Sequence, residues 1–342
     1  MKTTLAIDVM GGDLAPASAF EGINLFLQRF KSSSHSKEHE VFFSLFGIKE
    51  EILPYYLKYP DIHNFSEIQD CALYIRNEEK LTDIIRHAPQ TSLGKAILSV
   101  MEKKANAVVS SGNTGAFMAL CKIYLKTFEG IDRPAIPAFF PTLKGQSLML
   151  DLGANVECSA NMLLQFALMG RIYAQSLLAK TNPTVGILNI GSEATKGNPV
   201  RHEAARLLTE HPLINYVGFV EGTDISKGTV DIIVTDGFSG NIALKSIEGT
   251  ASFARHLLRE AFSDSVLSKL AYLLMKPSLK KLQHQLDQRH YNGAAFLGIK
   301  EIAVKSHGNS DGFAFSHALD VAFQMVISKT ILKLENDLKQ KD

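Results

Sequence analysis

The chain has 342 residues and a formal net charge of +1, with 46% hydrophobic and 21% charged residues. That length suits one large α/β domain or two coupled ones, able to remove roughly 75% of the unfolded surface from water. So balanced a charge gives no global attraction to nucleic acid, so an anionic partner has to be met by a local patch. Cys71, Cys121 and Cys158 are odd in number and lack CxxC spacing, which fits a reducing compartment and argues against a disulfide framework or a structural zinc. No run of 18 or more apolar residues occurs, and Met1 to Thr4 lead directly into a short apolar segment. The expectation is a soluble cytoplasmic protein without a signal peptide or spanning helix.

In chain order, Thr4 to Ile7 reads as a buried strand, stopped by Gly11-Gly12 and followed by a helical pattern through Phe20, Ile23, Leu27 and Phe30. Residues 31–40, with Ser32, Ser33, Ser34, His35 and His39, lack periodicity and are expected as an exposed loop. Val41 to Phe46 makes the second strand, and a helix with Ile52 and Leu53 follows Gly47. Ala107 to Val109 is a short strand ending in Ser110-Ser111-Gly112-Asn113-Thr114-Gly115, before a helix from Ala116 to about Leu125. Leu148 to Leu150 ends in Asp151-Leu152-Gly153-Ala154-Asn155, before a helix carrying Leu163, Phe166 and Met169. Val185 to Leu188 ends in Asn189-Ile190-Gly191, and Val230 to Val234 ends in Asp236-Gly237-Phe238-Ser239-Gly240-Asn241. Ile302 to Val304 looks like a final strand, followed by Ser306-His307-Gly308. Strands alternating with helices predict a Rossmann-like, doubly wound, mostly parallel sheet in a single domain over residues 1–342.

Small polar residues collect at the carboxyl ends of these strands, the rim where open α/β sheets bind ligands. Each cluster alone reads equally as turn chemistry; four or five on one rim favour a polar, anion-binding pocket. Gly112 to Gly115 opens a helix whose N–H groups could hold an oxyanion, or is a plain N-cap. Lys196 supplies a movable point charge suited to phosphate, or is a solvated loop lysine. Asp236 begins an acid-turn-amide cluster that could equally be a helix cap, and His307 is a candidate acid or base or a structural histidine.

The sequence has no GxGxxG, GxxxxGK[ST] or HExxH, and Gly237-Phe238-Ser239-Gly240 lacks the GxSxG spacing, which counts against dinucleotide enzymes, P-loop kinases, zinc hydrolases and a serine nucleophile at Ser239. Residues 255–290 form a distinct helical excursion. Phe262, Val266, Leu267, Leu270, Leu273 and Leu274 recur at helical spacing, Lys269 and Lys276 flank them, and Pro277 is expected to end the helix. Such a face suits a core or dimer contact, a membrane surface or an acidic protein.

Taken together, Ala6-Ile7-Asp8-Val9-Met10-Gly11-Gly12-Asp13, Gly112-Asn113-Thr114-Gly115, Asp151-Leu152-Gly153-Ala154-Asn155, Lys196-Gly197, Asp236 to Asn241 and His307-Gly308 resemble, in type and order, the PlsX-type phosphate acyltransferases. The resemblance runs from about residue 3 to residue 325. One departure is Ser92-Leu93-Gly94, where many members of that family carry Ser-Met-Arg; another is the Ser-rich stretch at residues 31–40.

The resemblance implies acyl transfer from acyl carrier protein to inorganic phosphate, giving an acyl phosphate for phospholipid synthesis. It further implies a homodimer without metal or nucleotide cofactor. Loose contact with the inner face of the plasma membrane, and with a membrane glycerol-phosphate acyltransferase, would follow. On this reading Lys196 stabilises phosphate or the oxyanion, Asn113, Thr114 and Asn241 are neutral donors, and Asp236 orients Lys196 or a donor amide. His307 protonates the leaving thiolate, while Asp8, Gly11, Gly12, Gly115, Asn155, Asn189 and Gly191 complete the phosphate- and acyl-binding rim. Lys269, Lys276, Lys280, Lys281 and Arg289 form the basic patch for the carrier protein or anionic lipid. The competing readings are a short-chain phosphotransacetylase, a metal-dependent hydroxy-acid dehydrogenase and a non-enzymatic membrane scaffold.

Overall fold

Short runs such as Leu5-Ala6-Ile7 and Val108-Val109 are buried on both faces, the pattern of central strands in a sheet covered on two sides by helices. The computed structural model describes residues 2–76 and 78–339, with the side chains of residues 266 and 280–286 outside that description. In chain order the strands are β1 (Lys2–Asp8), β2 (Glu40–Gly47), β3 (Ser66–Asp70), β4 (Ala107–Ser110), β5 (Ala138–Thr142), β6 (Gly145–Leu150), β7 (Thr184–Leu188), β8 (Asn215–Val220), β9 (Ile232–Val234), β10 (Ala294–Ala295) and β11 (Ile302–Lys305). The helices are α1 (Ala17–Ser32), α2 (Lys49–Lys58), α3 (Pro60–His63), α4 (Leu81–His87), α5 (Ser92–Met101), α6 (Thr114–Tyr124), α7 (Ala160–Leu177), α8 (Pro199–Glu210), α9 (Gly222–Lys227), α10 (Gly237–Ser263), α11 (Val266–Leu286), α12 (Gly312–Ile327) and α13 (Thr330–Lys339).

The α/β class and the mostly parallel pairing agree with the sequence reading, but the strands are shared between two sheets. One is six-stranded, in the order β10-β11-β4-β1-β2-β3; the other is five-stranded, in the order β5-β6-β9-β7-β8. Only β10 and β5, at an edge of each sheet, run antiparallel to their neighbours. A single apolar cluster continues from one sheet into the other, through Ile7, Val109 and Val304 on the first and Leu150, Ile187 and Val234 on the second. Backbone pairing between Ala135 and Leu297 also ties the segments leading into β5 and β11. The strand-end clusters therefore form two rims rather than one. Asp8, Asn113 and His307 belong to the first; Asn155, Asn189 and Asp236 belong to the second.

Residues 31–40 are not the open loop expected. α1 runs on to Ser32, and Ser34–Lys37 forms a 3-10 turn. Ser33 and Ser36 hydroxyls donate to the carbonyls of Phe30 and Ser33, and the His35 and His39 rings meet the Phe323 ring edge-on. Local hydroxyl bonding thus organises a segment with no apolar period. Nor does Pro277 end a helix: α11 continues through it to Leu286.

At Gly94, a Cβ would lie 1.7 Å from the Ala88 carbonyl oxygen, while the Gly94 N–H is capped by the Thr91 hydroxyl. An arginine of the family pattern requires the Ala88–Thr91 turn to move, so the departure is accommodated by the local backbone.

Phe26 packs on Phe30, on Phe43 of β2 and on Phe323 of α12. Phe26→Ala should therefore lower stability by about 3–5 kcal/mol, measured as a drop in the urea midpoint at unchanged slope.

Candidate active site

Asp8 ends β1 and is 2% exposed. Its Oδ1 accepts from the Ser92 hydroxyl at 2.7 Å and its Oδ2 from the Ser110 hydroxyl at 2.7 Å, with the Met10 N–H a longer third donor. Burial raises its pKa and these donors oppose that rise. Asp8 thus lies beneath the Gly11-Gly12 turn and joins three elements, with its oxygens turned to protein donors. The Ser110 hydroxyl in turn receives the Gly112 N–H, so the carboxylate also steadies the turn into α6.

Asp151 does the same work on the second sheet. It is fully buried and accepts N–H bonds from Ile136, Leu152 and Asn155 at 2.7–2.9 Å, a longer one from Ala154, and one from the Asn155 side chain. Asn155 spends its second amide hydrogen on the Pro134 carbonyl. Asn155 is therefore part of the loop's scaffold rather than a ligand donor.

The other expected donors divide in the same way. The Asn113 side chain accepts the Ala116 N–H at 3.0 Å, so its oxygen is an N-cap, and Thr114 and Gly115 are exposed beside it. Asn189 is buried, and its amide donates to the carbonyls of Gly191 and Lys196. It closes that loop on itself. Lys196 is exposed on the loop, and Asn241 is exposed near the start of α10, beside Gly153.

Asp236 does not orient Lys196. It caps α10 by accepting the Ser239 N–H at 2.7 Å, and its other oxygen accepts from Arg201 at 2.8 Å. Arg201 also donates to the Leu188 carbonyl. A fork of donors suits a carboxylate better than a flexible ammonium does, which is why the arginine takes the place expected of the lysine. Arg289 likewise is engaged, by Asp287 and Asp311. Lys269 and Lys276 are exposed on α11, while the side chains of Lys280 and Lys281 lie outside the described residues.

A cavity of about 530 Å3 lies between the sheets. Phe139, Phe140, Leu244 and Ile247 give it an apolar wall, and His307, Asn292, Ser310 and Arg289 a polar one. Asn292 is itself fixed, donating to the Ser306 hydroxyl and accepting the His307 N–H. Burial pulls the His307 pKa down, and the neighbouring Lys305 adds to the effect. A ring disposed to be neutral is suited to accept a proton, not to arrive carrying one for a thiolate. A second cavity of about 550 Å3, lined by Cys158, Arg201, Asp236 and Phe238, opens at the second rim. Lys196 lines neither.

Sequence reasoning missed Lys305, Arg201, Ser92 and Ser110. Ser110 stood in a strand-end cluster and Ser92 in the Ser92-Leu93-Gly94 stretch without a role being given to either, and Lys305 had the signal of a lysine directly after the apolar run Ile302 to Val304 and directly before Ser306-His307-Gly308.

Comparison with known proteins bears on this geometry. The family described as "Fatty acid synthesis protein" matches residues 3–333. Curated relatives named "Phosphate acyltransferase" include that of Rhodospirillum rubrum, 46% identical over 94% of this chain and 90% of its own. That of Paramagnetospirillum magneticum is 44% identical with the same coverage. The chain belongs to the PlsX family of phosphate acyltransferases. It is an acyltransferase of fatty acid and phospholipid synthesis, with transfer of an acyl group to phosphate as its reaction. In fold it is similar to the EutD phosphotransacetylase of Staphylococcus aureus, with a TM-score of 0.59 at 13% identity over 96% of this chain and 94% of that one. A phosphotransacetylase of Streptococcus pyogenes is similar at a TM-score of 0.58 and 13% identity, over 95% of this chain and 94% of that one.

Because Asp8 holds two buried hydroxyls, Asp8→Ala should lower stability by at least about 2 kcal/mol, at roughly 1–3 kcal/mol for each donor left without an acceptor. Asp8→Asn, which keeps one acceptor oxygen, should lose less. Equal urea midpoints for wild type and Asp8→Ala would remove Asp8 from this role.

Proposed function

We propose that the chain transfers a long fatty acyl group from acyl carrier protein to inorganic phosphate in the cleft between its two sheets. The observation that carries this reading is the roughly 530 Å3 cavity with one apolar and one polar wall. A long acyl thioester presents an apolar chain and a polar carbonyl, whereas an acetyl group has no chain to bury. A phosphate oxygen attacks the thioester carbonyl carbon, the C–O bond forms and the C–S bond breaks. The thiolate of the carrier leaves, and the neutral His307 ring takes the proton of a monoprotonated phosphate and passes it to the sulfur.

No covalent acyl-enzyme is needed, since phosphate is itself the nucleophile. Positioning of the two reactants can supply about 7–11 kcal/mol at best. Asn241, Thr114 and the exposed Lys196 remain the groups for the phosphate and the tetrahedral oxyanion, with Lys196 reaching in from its loop when substrate is bound. Gly11, Gly12, Gly115 and Gly191 let the backbone approach it.

Lys269 and Lys276 support docking of an acidic carrier protein or of anionic lipid. The exposed Leu267, Leu270, Leu273 and Leu274 of α11, with Phe253 and Leu257 of α10, support cover by a second copy of the chain or by a membrane face. That is how we read the homodimer, the contact with the inner face of the plasma membrane and a membrane-bound consumer of the product. No described helix is long and apolar enough to cross a membrane.

Palmitoyl carrier protein should be consumed only when inorganic phosphate is present, without added metal or nucleotide, releasing acyl phosphate. Activity with acetyl-CoA alone would instead favour the short-chain transacetylase reading. Lys196→Ala and Asn241→Ala should each lower kcat by about 10²–10³, the usual cost of one oxyanion donor; near-normal turnover in both folded variants would move the site. KM for the acyl carrier protein should rise with salt if the α11 lysines receive it.

A further inference from the structure

Among the described residues Lys305 is the only buried lysine, 8% exposed at the end of β11. An ammonium is costly to remove from water unless it is paired. Its Nζ donates to the Ser111 carbonyl at 3.2 Å and to the Ser306 carbonyl, two acceptors for a group with three N–H donors.

The place matters more than the burial. Three strand-end loops meet there with no spare room. Gly12, at φ +104°, has a position where a Cβ would come within 2.8 Å of the Ser111 Cβ and 3.0 Å of the Gly308 oxygen. The Asp13 N–H donates to the Gly308 carbonyl at 2.7 Å, and the Ser306 N–H to the Ser110 carbonyl at 2.9 Å. Ser111 leads directly into Gly112 and into Asn113, the N-cap of the eleven-residue α6. The helix opening of α6 thus follows within three residues of a carbonyl held by the Lys305 ammonium, a combination of cation and helix N-terminus that favours an anion.

We propose that Lys305 is a positioning residue for the phosphate acceptor: its ammonium ties Ser111 to the end of β11 and holds the donors opening α6 as a rigid, positively biased seat for a phosphate dianion. This rests on the phosphate acyltransferase reading and adds to it a group distinct from Lys196, which is exposed on the other rim.

Burial lowers the Lys305 pKa to about 8, with Asp13 and Asp8 pulling it back up. The sign follows: the cation is present below that pH and lost as pH rises through it. His307, the next titratable neighbour, is disposed to be neutral, and its own charged neighbours are Glu248 and Lys245 of α10. β4 and β10 carry no titratable side chain, α12 contributes Asp311 at its N-cap, paired with Arg289, and His317 and Asp320, the latter paired with Arg29, and α6 contributes Lys122, Tyr124 and Cys121, the last held neutral by burial. Phosphate is already a dianion above pH 8, so a loss of phosphate affinity there reports Lys305.

The test compares wild type, Lys305→Met and Lys305→Arg. Inorganic phosphate alone should raise the Tm of wild type, and Lys305→Met should lose most of that rise while Lys305→Arg keeps at least half. In turnover, Lys305→Met should raise KM for phosphate about tenfold or more, with KM for the acyl donor within about twofold, a split that reports the phosphate site alone. An unchanged phosphate KM, or an equal rise in both KM values, overturns the proposal; the second is what a merely structural role gives. If Lys305→Met does not fold, the pH series decides. Wild-type KM for phosphate should climb between about pH 7.5 and 9.5 while Lys305→Arg, whose guanidinium stays charged, remains flat; parallel curves overturn it. Wild type without phosphate-dependent turnover would defeat the acyltransfer reading, whereas the phosphate effect on Tm still reports the seat.

Discussion

A carboxylate taken out of water has to be met by donors, and this fold places one at the end of a central strand in each of its two sheets. Asp8 gathers the hydroxyls of Ser92 and Ser110, so that α5 and β4 are drawn to the end of β1. Asp151 gathers N–H groups from Ile136 to Asn155, so that its own loop and the segment entering β5 are drawn to the end of β6. Remove either acid and several buried donors lose their acceptor at once, which costs more than any one of these hydrogen bonds contributes. The rims are rigid because their loops hang on these two groups.

Rigid rims allow the cleft between them to be chemically two-sided. On the first rim the buried Lys305 ammonium, with Asp13 and Asp8 as its charged neighbours, ties the end of β11 to the segment that opens α6. On the second, Arg201 and Asp236 neutralise one another and fix the start of α10. The apolar wall comes from β5 and α10, elements of the second sheet's half, and the polar wall from the loop after β11 and the segment before β10.

α10 links two parts of the molecule that look separate along the chain. It begins at the Asp236 cap on the second rim, passes the cleft at Leu244 and Ile247, and runs 27 residues out to the exposed apolar hairpin with α11. Leu257 lies on the outer part of α10 and Leu267 and Leu273 on α11, while Leu244 and Ile247 of the same α10 line the cleft, so the exposed apolar face and the cleft share one helix.

The α/β class, the buried strands β1, β2, β4, β6, β7, β9 and β11 and the positions of the strand-end clusters were determined by the sequence alone, because buried strands and their Gly-Asn turns are set by local periodicity and backbone sterics. The family resemblance was legible for the same reason, since its motifs sit on those turns. Division into two sheets was not legible: β3, β5 and β8 are edge or near-edge strands with mixed burial, and nothing local says which sheet a strand joins. Tertiary structure also decided what each polar group does. Asn113, Asn155, Asn189 and Asp236 all read as site residues, and all four bond to backbone or to a neighbouring charge. Arg201, twelve residues beyond Asn189, takes Asp236, and Lys305, more than a hundred residues beyond Lys196, is the lysine buried at a rim. A hydrogen bond's partner and a cation's burial depend on which distant segments meet, and that is information a spacing pattern does not carry.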